Sequence, residues 1–332
     1  MTANDPAMAA LPPEAPHPLA VGVSSCLLGQ NVRWDRGHKR DSFLCDRLGP
    51  HVRYVPVCPE MGIGLGTPRE TIHLERHDGA IRLLGTRTAT DHTGAMTAFA
   101  DSTAHLLAGE DLCGYVFKKD SPSCGLFRVR IYDPRPGHPP ERTGSGLFAA
   151  GIRAAFPDLP MEEDGRLNDP RLRENFVERL FAYRRVTDLF RADWRTGDLV
   201  AFHSREKLAL MAHSPEAYRA LGQLVATAKG QDRTALAASY RSQYMAALTK
   251  LATPGRMTNV LNHMAGYFRR DLDSADRQEL ADTITEYRNG LVPLLVPLTL
   301  IRHYVRKFNV SYLADQTFLS PHPRELMLRN AL

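Results

Sequence analysis

The stretch LAVGVSSCLLGQ, residues 19–30, decides the fold of the N-terminal half. Its apolar run from Leu19 to Val23 ends abruptly in two serines, Cys26 and a turn at Gly29. A short continuous apolar run that is bounded by turn residues predicts a strand buried on both faces, as in a parallel sheet. Cys26 is therefore expected just beyond the C-terminal end of the first strand.

Similar apolar runs recur through the N-terminal half, with helical patterns between them. Strands are predicted at 19–23, 52–57, 81–84, 114–117 and 129–132, and helices at 40–48, 93–108 and 144–155. Strands that alternate with helices are typical of α/β layer folds. We therefore predict a Rossmann-like α/β domain for this half of the chain.

The pattern changes after residues 156–170, which are rich in acidic residues and proline. Asp169 followed by Pro170 is a typical helix start, because aspartate caps the helix and proline suits its first position. Amphipathic stretches with hardly a strand pattern follow at 169–192, 203–229, 232–251, 256–270, 274–288, 295–307 and 323–330. The predicted organisation is a disordered lead-in at 1–18, an α/β domain at 19–160 and an all-helical domain at 161–332.

The composition is that of a globular protein: 43% of the 332 residues are hydrophobic and 24% are charged. No run approaches the roughly 18 apolar residues that a membrane span needs, and the first 18 residues lack the basic start and apolar block of a secretion signal. Five cysteines in a chain without such a signal predict reduced thiols in the cytoplasm. The oligomeric state is not predicted.

The net charge of +5 is unevenly distributed along the chain. From Arg166 onward there are 25 Lys and Arg against 17 Asp and Glu, whereas residues 1–165 hold 17 basic and 20 acidic residues. This asymmetry favours a polyanionic partner for the C-terminal half. The alternative is an ordinary solvated basic surface.

Three of the five cysteines occupy the same kind of position. Cys26, Cys58 and Cys124 each follow the C-terminal end of a predicted strand, and in open α/β sheets those ends face one ligand-binding crevice. Thiolates bind soft metals, so zinc, copper(I) and an iron–sulfur cluster all remain candidates. Cys45 and Cys113 are instead predicted to be packing residues.

Three sequence blocks carry a family resemblance. SSCLLGQNVRWD (24–35), PVCPEMGIGLGTPRE (56–70) and KKDSPSCG (118–125) resemble the signature blocks of the TudS-type thiouracil desulfidase family, domain of unknown function 523. The resemblance covers roughly residues 19 to 160. It implies that this segment is a catalytic desulfidase domain, which removes sulfur from thiolated uracil.

The resemblance also implies a cofactor and its ligands. In that family, three such cysteines hold a 4Fe-4S cluster whose fourth iron has no protein ligand, and these cysteines correspond to Cys26, Cys58 and Cys124. An open iron can act as a Lewis acid toward a soft sulfur atom. Water would then replace the sulfur of the thiocarbonyl without net redox change.

Polar residues near the cysteines are candidates for catalysis and substrate binding. Addition of water needs a proton acceptor, and loss of sulfide needs a proton donor. Glu60 is the first candidate for this acid–base role, and its alternative is a structural carboxylate at the following turn. The other catalytic candidates are Ser121, Ser123 and Lys119, and the substrate-binding candidates are Ser25, Arg69 and Lys118. For each of these, turn formation or a surface role is the alternative.

The C-terminal half resembles a second family. FHSREKLALMAHSPEAYRALG (202–222), NVLNHMAGYFRRDL (259–272) and PLTLIRHYVRKFNVSYLADQTFLSPHPRELMLRN (297–330) resemble the YbgA-like family, domain of unknown function 1722. The two domains are known together in one chain, in which the helical part is thought to bind RNA. The resemblance therefore implies RNA, and tRNA with a thiolated uridine in particular, as the partner.

Basic and aromatic residues on the predicted helices are candidates for RNA contact. Basic groups neutralise phosphates, and aromatic or guanidinium planes stack on unpaired bases. The alternative is that these side chains form a packed surface edge. The candidates are Lys207, Tyr267, Arg269, Arg270, Arg302, Arg306 and Lys307, with Tyr304 beside the last three.

The leading hypothesis combines the two halves. It is a cytoplasmic, non-redox desulfidase that converts 4-thiouridine in tRNA to uridine and sulfide, because the fused basic domain favours a polymeric substrate. The first alternative is a desulfidase of free thiouracil. Two further alternatives are an RNA-binding protein with a structural or redox-sensing metal site, and a zinc enzyme with three cysteine ligands and a bound water.

Overall fold

A computed structural model describes residues 18–135 and 137–331 of the chain. Apart from Pro18, the lead-in predicted at 1–18 lies outside the described residues.

Eight strands form two sheets in the N-terminal half. They are β1 (Leu19–Ser24), β2 (Val52–Val57), β3 (Ile72–His77), β4 (Ala80–Gly85), β5 (Leu112–Phe117), β6 (Val129–Tyr132), β7 (Glu141–Gly144) and β8 (Met161–Glu163). The first sheet has the order β2-β1-β5-β8, and all its strand pairs are parallel. The second has the order β4-β3-β6-β7, with a parallel β3–β6 pair between two antiparallel pairs. The predicted α/β class is confirmed.

Three helices lie among the strands of the N-terminal half, and the C-terminal half is built from helices. The helices are α1 (Pro59–Gly62), α2 (Thr93–Ala108), α3 (Leu147–Ala155), α4 (Pro170–Arg191), α5 (Thr196–His213), α6 (Pro215–Ala226), α7 (Arg233–Leu248), α8 (Pro254–Ala265), α9 (Ser274–Arg288), α10 (Leu295–Lys307) and α11 (Ser311–Ala314). The Asp169 side chain caps α4 by accepting hydrogen bonds from the N–H groups of Arg171 and Leu172, as the sequence predicts. No helix within the described part of the chain is long and apolar enough to cross a membrane.

Several predicted elements differ from the observed ones. The helix predicted at 203–229 is two helices, because Ser214 caps α6 and Pro215 is its first residue. The helix predicted at 323–330 is a pair of 3-10 turns, Arg324–Leu326 and Leu328–Ala331. The helix predicted at 40–48 is a π-helical segment, Phe43–Leu48.

Strands β3, β7 and β8 are absent from the prediction. Strand β8 lies inside the segment predicted to separate the domains, and its two glutamates are buried. Glu163 accepts hydrogen bonds from the N–H groups of Leu126 and Phe127 at 2.7 and 3.0 Å, and Glu162 pairs with Arg166 at 2.7 Å. These partners compensate the buried carboxylates, so an edge strand can form from residues whose charge predicts a linker.

Both faces of the first sheet are covered by helices and aromatic side chains. On one face, Val21 packs with Phe176 of α4. On the other, the stacked rings of Tyr115 and Phe117, whose centroids are 4.1 Å apart, pack with Phe148 of α3. Helix α4 therefore belongs to the core of the parallel sheet as well as to the helical half, and the two halves share one packed interface.

A buried hydrogen-bond network joins the helices of the C-terminal half. The carboxylate of Glu206 on α5, with 1% of its side chain exposed, pairs with the Arg185 guanidinium of α4 at 2.8 Å. It also accepts hydrogen bonds from the hydroxyls of Tyr244 at 2.7 Å and Thr317 at 2.9 Å. One carboxylate thus connects α4, α5, α7 and the segment that follows α11.

Replacing Glu206 by Gln is expected to lower the free energy of unfolding by about 3–5 kcal/mol, because it leaves the Arg185 charge without its buried partner. Urea unfolding of the whole chain measures the change. Glu286→Gln is the matched control, since Glu286 is exposed and should change stability by no more than about 0.5 kcal/mol. Equal, small losses for the two variants would contradict the importance of this network.

Candidate metal centre and substrate cavity

The parallel register brings the ends of three strands to one edge of the first sheet. β1 lies between β2 and β5, with Ser24 opposite Val57 at the end of the β1–β2 pair. Cys26, Cys58 and Cys124 follow these strand ends, and all three line one cavity of about 370 Å³. The predicted convergence of the three cysteines on one crevice is therefore observed.

The turn after β1 fixes the position of Cys26. It is a 3-10 turn, Ser25–Leu28, which ends at Gly29 with a φ of 89°. This left-handed conformation favours glycine. The Cys26 carbonyl accepts hydrogen bonds from the N–H groups of Gly29 at 3.3 Å and Lys39 at 2.9 Å. The backbone around this thiol is thus held from two sides.

Close backbone packing fixes Cys124. Its N–H donates to the Ser121 hydroxyl oxygen at 3.1 Å, and the next residue, Gly125, donates its N–H to the Ser121 carbonyl at 2.7 Å. A side chain at Gly125 would place its Cβ 2.4 Å from the Val129 side chain and 2.8 Å from the Ser121 carbonyl oxygen. The tight turn after Cys124 therefore requires glycine.

Burial raises the pKa of all three thiols, and the negative charge of Glu60 raises them further. The pKa of Cys26 rises to about 11 and that of Cys58 to about 12, while that of Cys124 lies well above its usual value. Thiolates are the metal-binding form. Metal binding at these residues must therefore release protons, and higher pH favours it.

The raised pKa values predict slow alkylation of the metal-free chain. At about pH 8, iodoacetamide should modify Cys26 and Cys58 more than about 100-fold more slowly than free cysteine, since only the thiolate reacts. The rates should rise about tenfold per pH unit up to about pH 10. Mass spectrometry of peptides after timed labelling measures them. The urea-unfolded chain is the control, and a folded chain whose labelling rates match it would contradict the prediction.

The predicted catalytic residues Glu60, Ser121 and Ser123 meet beside Cys58. The Oε1 atom of Glu60 accepts a hydrogen bond from the Ser123 hydroxyl and has the Ser121 hydroxyl within 3.5 Å. The two serine hydroxyls are 3.0 Å apart. The Cys58 thiol lies 3.4 Å from the other carboxylate oxygen, Oε2. Glu60 thus has hydroxyl partners on one oxygen and faces a thiol with the other.

The two predicted lysines have different environments. The Lys118 ammonium pairs with the Asp164 carboxylate at 2.8 Å, and both side chains are 14% exposed. Lys119 donates its N–H to Asp164 at 2.7 Å, while its own ammonium group is exposed at the cavity rim, 4.0 Å from Asp120. Asp164, which was not predicted from the sequence, therefore neutralises Lys118 and leaves Lys119 as the more available cation.

The remaining predicted substrate-binding residues also line the cavity. Ser25 is buried, with 4% of its surface exposed. Arg69 donates through Nη1 to the carbonyls of Val32 at 2.9 Å and Gly66 at 2.6 Å, so part of its guanidinium braces the cavity wall. Substrate contact by Ser25 and Arg69 stays a prediction.

Two further cavity residues, Arg33 and Trp34, were not predicted from the sequence. Arg33 and Trp34 both line the cavity, and the Trp34 ring is 46% exposed. An exposed aromatic face at a cavity mouth can stack on a nucleobase. Their position in the same block as Cys26, NVRWD after SSCLLGQ, is the signal that could have found them.

An aromatic cluster on the helical half contains two of the predicted RNA-binding residues. The Tyr267 ring, 39% exposed, stacks on Tyr312 with centroids 5.4 Å apart and meets the His263 ring at 5.7 Å. Burial and the nearby charge of Lys207 lower the pKa of His263. We call Lys207, His263, Tyr267 and Tyr312 the aromatic cluster.

The other predicted RNA-binding residues are placed differently. Arg269, Arg270, Arg306 and Lys307 are exposed, whereas Arg302 is half-buried and donates to the Leu319 carbonyl. Tyr304, expected beside the basic residues at the surface, is only 3% exposed and belongs to the helical core. It is buried because its ring packs against Phe268 and Phe308.

Comparison with known proteins assigns both halves. A family model described as 2-thiouracil desulfurase matches residues 21–164, and one described as a protein of unknown function (DUF1722) matches residues 207–323. The uncharacterized protein YbgA of Escherichia coli (strain K12) is 37% identical over 166 residues, which cover 98% of YbgA and 50% of this chain.

A solved structure of a 4Fe-4S-dependent thiouracil desulfidase, TudS, is 30% identical and matches 46% of this chain and 94% of its own, with a TM-score of 0.38. The resemblances to the two families are confirmed, and the first of them indicates an enzyme that acts on thiouracil. The chain thus belongs to the family of YbgA, and it contains a DUF1722 segment at 207–323 and an N-terminal segment of the 2-thiouracil desulfurase family at 21–164.

Proposed function

We propose that this protein is a desulfidase that converts 4-thiouridine in tRNA to uridine and sulfide at a 4Fe-4S cluster. The cluster would be held by Cys26, Cys58 and Cys124 and would leave one iron without a protein ligand. The observation that carries the proposal is that these three thiols line one cavity together with Glu60.

Cysteine thiolates are the usual protein ligands of iron–sulfur clusters. Within residues 18–135 and 137–331, no three His, Cys, Asp or Glu side chains are close enough together to hold one metal ion. In an iron–sulfur cluster the thiolates bind different iron atoms, so they need not converge on one point. When bound, a cluster with an open iron supplies a Lewis acid for the sulfur of the substrate.

Glu60 is positioned to move the protons of the reaction. We assign its Oε2 atom to accept a proton from the water that attacks the ring carbon and later to return it to the departing sulfur. Ser121 and Ser123, hydrogen-bonded around Oε1, hold the carboxylate in place. The C=S bond and water become C=O and hydrogen sulfide, so no electrons are exchanged with an outside donor.

The surroundings of the cavity support a nucleobase as the reacting group. A volume of about 370 Å³ lies within the range of small-molecule sites, and Trp34 offers a ring face for stacking. A base inside folded RNA must leave its stack to reach such a cavity, as in other enzymes that modify bases.

Two features of the helical half favour tRNA over a free base. The half carries 25 basic against 17 acidic residues from Arg166 onward, and the aromatic cluster combines the exposed Tyr267 ring with a lysine. Basic groups with stacking platforms are typical of single-stranded nucleic-acid contacts. A free base would not need this half.

The second candidate is desulfuration of free thiouracil, which the name of the matched family and the base-sized cavity favour.

Paired assays under anaerobic conditions decide between the substrates. The cofactor-loaded protein is incubated with tRNA containing 4-thiouridine and, separately, with free 4-thiouracil. Nucleoside mass spectrometry and sulfide release should show turnover of the tRNA. Sulfur loss from the free base alone would reject the tRNA proposal and retain the desulfidase.

A further inference from the structure

A second polar cavity lies in the helical half, near the C-terminal end of the described chain. It measures about 390 Å³ and is lined by α10 and by residues 321–330. Its charged lining residues are Arg302, Arg324, Arg329 and Glu325. Three guanidinium groups against one carboxylate give this cavity a positive character.

Two of these guanidinium groups have buried nitrogens without a hydrogen-bond partner among the described residues. They are Nε of Arg302 and Nη2 of Arg329. Arg329 is 5% exposed, and its other nitrogens are used: Nε donates to Glu174 at 3.0 Å and Nη1 to the Phe318 carbonyl at 2.5 Å. Buried donors in proteins are normally paired, so these two N–H groups leave positive charge unsatisfied at the cavity wall.

The positive charges at the cavity are poorly compensated. Burial lowers the pKa of Arg302 to about 10, and repulsion from Arg329, Arg324 and Arg306 contributes. The carboxylate of Glu174 is already engaged by Arg329. Glu325 is exposed at the rim. Glu174 therefore balances Arg329, whereas Arg302 and Arg324 have no carboxylate partner among the described residues.

We propose that this cavity binds a phosphate group, which accepts hydrogen bonds from the half-buried Arg302 and the exposed Arg324 guanidinium groups and is attracted by the buried charge of Arg329. Phosphate suits the site because guanidinium groups bind its oxygens with charge-assisted hydrogen bonds. It also offers enough oxygens for donors that approach from two separate segments, α10 and the C-terminal turns. The phosphate could belong to an RNA backbone or to a free phosphate compound. The proposal does not depend on the desulfidase activity.

Calorimetric titration of the full chain with inorganic phosphate, at constant ionic strength in chloride, tests the proposal. Binding should be measurable and should weaken about tenfold in Arg324→Gln, which removes one charge-assisted contact. Arg324 is exposed and donates no bond that the fold needs among the described residues, so this variant should fold. Arg219→Gln, at an exposed position on α6, is the matched control and should bind phosphate normally.

The same variants identify the source of the phosphate. Titration with uridine monophosphate and with a short unmodified RNA is compared between the natural chain and Arg324→Gln. If RNA is the source, Arg324→Gln lowers the affinity of the protein for RNA as well as for phosphate. RNA binding by this variant should also release about one counterion fewer, which appears as a shallower dependence of affinity on salt concentration. If only the monophosphate weakens, a free nucleotide is the source. The proposal would be overturned if none of the three probes bound. It would also be overturned if phosphate binding were lost in Arg33→Gln, in the cavity lined by the three cysteines, and kept in Arg324→Gln.

Discussion

Replacing Cys58 by Ala is expected to abolish desulfuration and to remove the metal cofactor at the same time. The variant deprives the proposed cluster of one of its three protein ligands, and no neighbouring thiol lies in position to substitute, because Cys45 and Cys113 do not line the cavity. Cys58 is half-buried and belongs to none of the main hydrophobic clusters, so the fold should survive. Iron content and turnover of thiolated tRNA are measured on the same preparation.

The matched control for this variant is Cys113→Ala. Cys113 is only 2% exposed and packs in the core on the α4 side of the sheet. Removing its sulfur should lower stability modestly, by about 1 kcal/mol, and leave iron content and turnover unchanged. Turnover that persists in the Cys58 variant would remove this residue from the site.

Replacing Glu60 by Gln is expected to lower turnover by about 10²–10⁴-fold while the cofactor remains bound. The amide keeps the shape of the side chain and can still accept the Ser123 hydrogen bond, but it cannot take a proton from water. Single-turnover measurements with thiolated tRNA separate the chemical step from binding. The absorbance of the bound cofactor provides an independent readout that the site is intact.

Glu70→Gln provides a control in the same cavity. Glu70 lines the cavity, but its carboxylate accepts hydrogen bonds from the N–H groups of Arg87 and Thr88 and from the Thr88 hydroxyl at 2.7, 3.1 and 2.6 Å. It therefore fixes a loop and should affect turnover far less than Glu60. If the Glu70 variant lost activity and the Glu60 variant kept it, the acid–base role would belong elsewhere.

The parallel sheet was predictable because its strands are buried on both faces and appear as continuous apolar runs. Val52–Val57 and Val129–Tyr132 were predicted with their observed bounds. Strand Met161–Glu163 was not predictable from the pattern, since its buried glutamates depend on hydrogen bonds to Leu126, Phe127 and Arg166. Such partners become neighbours only in the folded chain.

The candidate site was predictable to the extent that its residues follow strand ends. That rule found Cys26, Cys58 and Cys124 from position alone. It could not show that Asp164 neutralises Lys118, because the two residues are joined only by the pairing of β5 with β8. The same limit applies to Arg302, whose helical position predicts a surface residue but whose guanidinium lies in a cavity closed by residues 321–330.

The most direct test of the central claim is the metal and sulfide content of protein purified without oxygen. If Cys26, Cys58 and Cys124 hold a 4Fe-4S cluster, the protein should contain about four iron and four acid-labile sulfide atoms per chain, and both should be lost when the three cysteines are replaced by alanine. A colourless protein that contains zinc or no metal, with the same content in the triple variant, would contradict the account.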